Sequence, residues 1–250
     1  MYPLIHIAGK EIPTYALMAL IGALVAGMFA EHQAVKRGVH PFYMIEVMLY
    51  SVIGVVIGGH LLYGLVNLRH LDQGLAYVWG GQVFYGGLFG GLLTGALVIK
   101  KKKYPRYPYY DIAACAIPLF HSIARIGCFL TGCCYGIPSA VGFVYTESAV
   151  PYANGVVRFP VQLLESALNL ALFGVLYGML RGEKGKDHLL SLYLGCYALL
   201  RFGLEFLRGD DMLRGIWWGL STSQWVSISV ALALLVYFIV WRVRAQSGKS

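Results

Sequence analysis

The sequence predicts an all-α, polytopic integral membrane protein of about seven transmembrane helices. Three observations carry this. Of the 250 residues, 58% are hydrophobic and 13% are charged, where a soluble domain carries about 25% charged residues. Apolar segments of about 20 residues recur along the whole chain, and each can cross a hydrocarbon core of about 30 Å as a helix. The basic residues between them crowd into alternate loops, as they do when one side of a membrane is cytoplasmic.

The segments fall at 13–34, 43–67, 82–99, 109–130, 161–180, 188–207 and 223–242, within a single transmembrane domain over 1–250. The first follows Lys10 and Glu11 as an apolar run from Ile12 to Ala30. No small-residue cleavage site follows it, so it reads as a retained span. The second carries His60 and Asn67 and the glycines Gly54, Gly58 and Gly59. The third opens with Gln82 and Tyr85 and continues as Gly86-Gly87-Leu88-Phe89-Gly90-Gly91. Small residues let helices approach closely, which is the expectation for Gly54 and Gly58. Gly86 and Gly87 are expected also to leave room for a lipid. The fourth span carries His121 and Arg125, the fifth Gln162 and Glu165, and the sixth Arg201 and Glu205 with Arg208 at its end. Between the fourth and fifth, residues 131–160 form a loop rich in Gly, Pro, Asn and Ser that folds over one membrane face. No lipidation motif marks either end.

One set of loops holds Lys36, Arg37, Lys100 to Lys103, Arg106, Arg181, Lys184, Lys186, Arg242, Arg244 and Lys249. The other holds only Lys10, Arg69, Arg158, Arg208 and Arg214. The positive-inside rule therefore places the N-terminus outside and the C-terminus in the cytoplasm. Trp217, Trp218 and Trp225 then fall at the outer interface, where amphipathic rings are expected. The formal charge of +8 reads as basic loops against anionic lipid, and no nucleic-acid partner is expected.

Two basic residues remain, Arg125 and Arg201, and both lie within spans. Charges at that depth are expensive and mark function by default. Tyr15, His60, Asn67, Gln82, Tyr85, Arg125, Gln162, Glu165 and Arg201 all fall in the outer half of their spans on this topology. His121 sits one turn from Arg125 on the same face, and Glu205 and Arg208 follow Arg201 at helical spacing. Pairing of Arg201 with Glu205 and of Arg125 with Glu165 would neutralise the four. Arg208 and Arg158 at the rim would then leave a positive cavity, suited to a phosphate because guanidinium forks match its oxygens.

The end of the fourth span reads Arg125-Ile-Gly-Cys-Phe-Leu-Thr-Gly-Cys-Cys-Tyr-Gly136. Cys128, Cys133 and Cys134 admit a metal site with His121, a redox pair or plain packing. Packing is the expectation, with no metal or cofactor.

Taken together, these pieces resemble the bacterial phosphatidylglycerol–prolipoprotein diacylglyceryl transferases over nearly the whole chain. Gly58-Gly59-His-Leu-Leu-Tyr63 resembles the family's Gly-Gly-Arg-x-x-Tyr, and Tyr85-Gly86-Gly87-Leu88 its His-Gly-Gly-Leu. Asp111 and Pro118 fall where its fourth span carries Asp and Pro. The Arg125 to Gly136 run is similar to its signature Gly-Arg-x-Gly-Asn-Phe-x-Asn-Gly-Glu-x-x-Gly. Phe159-Pro-Val-Gln162-Leu-Leu-Glu165 and Arg201-Phe-Gly-Leu-Glu205-Phe-Leu-Arg208 resemble two further family motifs.

The resemblance implies seven spans and transfer of diacylglyceryl from phosphatidylglycerol to the lipobox cysteine of a prolipoprotein signal peptide. Glycerol phosphate is released, and this is the first step of bacterial lipoprotein maturation. It implies the plasma (inner) membrane, with the site toward the outer leaflet. Arg125 and Arg201 become the phosphate-facing residues, with Tyr15, Gly136, Gln162, Glu165, Glu205 and Arg208 lining or supporting them. His60, Tyr85, Gly86 and Gly87 fall on further site motifs. The sequence departs from the pattern where the family's histidine is Tyr85, its span-two arginine is His60, and its signature Asn and Glu are Cys128 and Cys133. Tyrosine holds its proton at neutral pH, so His121, or else His60, is expected to accept the thiol proton. A paralogous lipid transferase and a non-catalytic lipid-binding or transport protein are the competing readings.

Overall fold

The computed structural model describes the chain except for Ala8, residues 75–79, Gln82, Ala149, 211–214 and 248–250. Gln82, Arg214 and Lys249, used above for span and loop assignment, lie outside the described residues. Seven long helices are described: α1 (Thr14–Lys36), α2 (Pro41–Val66), α3 (Phe84–Lys101), α4 (Arg106–Thr131), α5 (Val161–Arg181), α6 (Leu189–Leu204) and α7 (Thr222–Ser247). A 3-10 turn, Glu205–Leu207, extends α6. Each helix overlies one of the seven apolar segments. Six are long and apolar enough to cross a membrane. The exception is α3, whose composition is diluted by five glycines and two terminal lysines.

Apolar side chains face outward in the way a bilayer requires and water does not. On α7, Leu232, Leu235, Val236 and Ile239 are all more than half exposed. Only 6% of its apolar window is buried, against 56% for α4. Thus α4 is the most buried and α7 the least buried of these six helices.

The chain divides into two compact units. One comprises Gly27–Ile112 and is built on α2 and α3. Its helices meet through glycine. A Cβ on Gly58 would overlap the Gly86 carbonyl and the Gly90 α-carbon, and one on Gly90 would overlap the Gly54 carbonyl. This is the expected small-residue packing for Gly54 and Gly58. It also corrects the expectation for Gly86 and Gly87. The space beside Gly86 is taken by Gly58 and Leu62, and that beside Gly87 by Val55. The missing side chains make room for α2, not for a lipid. At the other end of the pair, Lys102 bonds Glu46 at 2.8 Å and Tyr104 donates to Glu46 at 3.0 Å.

The second unit comprises Met1–Ala26 and Ala113–Ser250. Its described residues form three two-stranded antiparallel pairs that an all-helical reading did not foresee: β1 (Leu4–Ile7) with β2 (Lys10–Pro13), β3 (Pro138–Val144) with β4 (Val157–Arg158), and β5 (Ile216–Trp217) with β6 (Leu220–Ser221). These strands are two to seven residues long, too short for an alternation to stand out in sequence. The first hairpin is tied to α4 through the Tyr2 amide and the Leu130 carbonyl, 2.8 Å apart. The α1 helix runs beside α4 where Gly127 faces Met18 and Tyr15. The Ser166 hydroxyl on α5 donates to the Ser122 carbonyl of α4 at 2.7 Å.

Candidate active site

Glu165 is the hub of the second unit's polar interior. It sits in the second turn of α5 and is 2% exposed. Its Oε2 lies 2.9 Å from Arg125 Nε on α4 and 3.7 Å from Arg201 Nη1 on α6. Its Oε1 lies 3.6 Å from His121 Nε2 and receives the Tyr197 hydroxyl at 3.5 Å. One carboxylate thus meets groups from two neighbouring helices. Helical spacing explains the convergence. His121 and Arg125, and likewise Tyr197 and Arg201, stand one turn apart on single faces. Arg125 Nε also donates to His121 Nε2 at 3.1 Å. Arg201 Nη2 pairs with Glu205 at 2.6 Å and reaches Ser223 of α7 at 3.2 Å.

The pairings expected from sequence therefore form. The expected source of excess charge is corrected. Arg208 forms a two-pronged ion pair with Asp210. Arg158 is a staple in the loop, donating to the carbonyls of Ala153, Gly136 and Tyr152 and lying 4.3 Å over the Tyr135 ring. Both were read as rim charges, because sequence could not show that Asp210 and the loop carbonyls would engage them. Among the described buried side chains of this unit, four arginines meet three carboxylates. Among these seven groups alone one positive charge remains, which favours an anion beside them.

The loop after α4 completes the site. Gly136 bridges Arg208 as an isolated strand pair, flanked by the Ile137 amide on the Leu207 carbonyl at 3.0 Å and the Gly209 amide on the Tyr135 carbonyl at 2.9 Å. A Cβ on Gly136 would strike the Phe159 carbonyl, so only glycine lets these backbones meet. Gln162 donates to the Cys133 carbonyl at 2.8 Å and accepts from Tyr145 at 3.3 Å. This positions the turn that carries the cysteines. Their three sulfurs lie within 4.8 Å of one another, and Arg125 Nη1 lies 3.7 Å from Cys128 Sγ. Hydrogen bonds with Cys128 and Cys133, and beyond them the charges of Arg208 and Arg125, hold the Cys134 thiol well below the usual thiol value. Contacts with Cys128 and Cys134 push the Cys133 thiol up.

Of the site residues expected from sequence, Arg125, Arg201, His121, Gln162, Glu165, Glu205, Arg208 and Gly136 gather here, and Tyr15 stands beside α4 at Gly127. His60, Tyr85, Gly86 and Gly87 belong to the other unit. Sequence reasoning missed Tyr197, Asn169, Asp210 and Ser223. Tyr197 was detectable four residues before Arg201, on its face. Asn169, which donates to the Glu165 carbonyl at 2.9 Å, likewise falls one turn after Glu165. Ser223 carried no signal, since its role depends on how α7 docks.

A family model described as prolipoprotein diacylglyceryl transferase matches residues 3–241. Among similar curated proteins, the phosphatidylglycerol–prolipoprotein diacylglyceryl transferase of Clostridium tetani is 31% identical over 249 residues. That match covers 97% of this chain and 98% of the relative. One from Clostridium perfringens is 32% identical, covering 96% and 95%. One from Bordetella avium is 34% identical, covering 80% and 78%.

Proposed function

The chain belongs to the prolipoprotein diacylglyceryl transferase family, and from that membership we propose how its own residues carry out the reaction. It is a multi-pass membrane transferase that moves a diacylglyceryl group from phosphatidylglycerol to a prolipoprotein in lipoprotein maturation. In our reading the acceptor is the lipobox cysteine of the signal peptide. Its thiolate attacks the glycerol carbon, the carbon–oxygen bond breaks, and glycerol phosphate leaves with the electron pair. The reaction takes place in the bacterial plasma membrane, at a site open toward the outer leaflet.

Arg125 and Arg201 hold the phosphate as its charge grows. The observation that carries this is Arg201 Nη1. It is buried without a hydrogen-bond partner among the described residues and only skirts Glu165 at 3.7 Å. Arg125 Nη1 faces a sulfur, a weak acceptor. Among the described residues, Arg125 Nη1 and Arg201 Nη1 are thus strong donors that no oxygen accepts, and phosphate oxygens match them. Donors fixed in place before the reaction stabilise developing charge without reorganising. Glu165 holds both arginines, and Glu205 with Ser223 orients Arg201. His121 takes the thiol proton at Nε2 as the Arg125 Nε–H it now accepts at 3.1 Å turns wholly to Glu165, 2.9 Å away.

The test is transfer by the purified protein from phosphatidylglycerol to a lipobox peptide. We expect glycerol phosphate and a peptide heavier by one diacylglyceryl group. Replacing Arg201 by lysine keeps the charge and loses the fork, and turnover should fall by about a hundredfold or more. Absence of product beside an active family enzyme would refute the reading.

A further inference from the structure

We propose that Cys128, Cys133 and Cys134 form a three-thiolate zinc site whose fourth position takes the acceptor thiol. The inference rests on the transferase reading above and extends it to how the thiol is activated.

The geometry is close to that of a built site. Zinc–thiolate bonds of about 2.3 Å place the sulfurs of a tetrahedral site roughly 3.8 Å apart, and these three already lie within 4.8 Å. Rotation of the side chains closes the difference. The backbone is held for it. The Cys128 carbonyl receives the amides of Gly132 and Cys133 at 3.0 and 3.1 Å. Gln162 and Ser148 clamp the Cys133 and Gly132 carbonyls, each at 2.8 Å. Cys134 has φ +54°, a left-handed conformation that is costly for a residue with a Cβ and tends to occur at functional sites.

The surroundings suit the charge. Zinc with three thiolates carries one net negative charge, and Arg125 stands 3.7 Å from Cys128. Cys128 is buried while Cys133 and Cys134 are partly exposed, so the fourth position opens on the loop side, with Arg125 beside the cluster. Three protein ligands and one exchangeable position is the catalytic form of a zinc site. A thiol that coordinates zinc gives up its proton. That proton passes to His121 and the sulfur displaces a zinc-bound water. The bound thiolate's electron pair then forms the bond to the glycerol carbon as the phosphate leaves. The thioether product carries no charge and is released. This supplies the acidification that Tyr85, in place of the family histidine, does not.

The test reads the metal directly. The whole protein is purified in detergent, stripped by chelation and titrated with Zn2+ and with Co2+ as a spectroscopic substitute. We expect one tightly held ion per chain and thiolate-to-cobalt charge-transfer bands, both lost in Cys133→Ser and in Cys134→Ser. Circular dichroism would establish that the variants fold. Adding a lipobox peptide should shift the cobalt spectrum, and the same peptide with serine for cysteine should not. Transfer should be lost on stripping and restored by Zn2+. No bound ion, binding indifferent to the cysteine substitutions, or a disulfide among these residues in protein isolated without reductant would overturn the site. A bound ion blind to the peptide thiol would overturn the open fourth position. A metal-free protein that transfers at full rate would overturn the zinc role and leave the transferase reading standing. Failure of the stripped and loaded forms alike to transfer would refute that reading, and with it the assignment of the thiol.

Discussion

Glu165 shows what a single buried carboxylate does among cations. Each guanidinium taken from water into the protein costs several kcal/mol unless a counter-charge and hydrogen bonds compensate it. Glu165 serves Arg125 and Arg201 together. Glu165→Gln should therefore destabilise the fold by about 3–5 kcal/mol, the range for breaking a buried pair from one side, measured by thermal unfolding in detergent. Glu165→Asp keeps the charge on a shorter arm. It should retain most of the stability and lose turnover by about a hundredfold, because a displacement of about 1 Å is enough to misalign reacting groups. If both variants transfer at the parent rate, the hub has no catalytic bearing. For the proton acceptor the informative pair is His121→Ala and His60→Ala. His121→Ala should nearly abolish transfer while His60→Ala has the smaller effect. Unchanged turnover in both would remove histidine from the mechanism.

At the scale of elements, the α2–α3 pair and the loop after α4 follow one rule, that backbones meet where side chains are absent. Gly58→Ala inserts a methyl against the Gly86 carbonyl. Overpacking of this kind costs about 1–3 kcal/mol, so the variant should unfold at lower temperature, and Gly58→Leu should fail to accumulate. Gly174, with nothing within 4 Å of its Cβ position, is the control, and Gly174→Ala should be neutral or stabilising. The helices themselves were legible from sequence, since each is a long apolar run with few competitors for its length. The strand pairs were not. Their strands hold a handful of residues, and beside β3–β4 Arg158 ties the carbonyls of Tyr152 and Ala153 to that of Gly136, which is remote in sequence and near only in the folded loop.

For the whole molecule, the basic-residue asymmetry predicts an N-terminus outside and a C-terminus in the cytoplasm. A fluorescent protein fused after α7 should fold and emit, and alkaline phosphatase at the same point should be inactive. Alkaline phosphatase inserted between Tyr145 and Asn154 should be active. The opposite pattern at either point would invert the topology and place the site on the cytoplasmic face.

The sequence by itself determined the membrane class, the positions of the helices and the two arginines that have no business in hydrocarbon without a partner. It could do so because length, apolar content and charge are local properties that a bilayer reads directly. Helical spacing further put His121 with Arg125, and Glu205 with Arg201. Only the tertiary structure decided that Glu165 joins both arginines, that Asp210 and three loop carbonyls occupy Arg208 and Arg158, and that three cysteines share one small volume. The Glu165 contacts join residues on separate helices, the cysteines are brought together by a left-handed turn, and even the short-range bonds of Arg208 and Arg158 depend on how the loops around them fold, which no local pattern records.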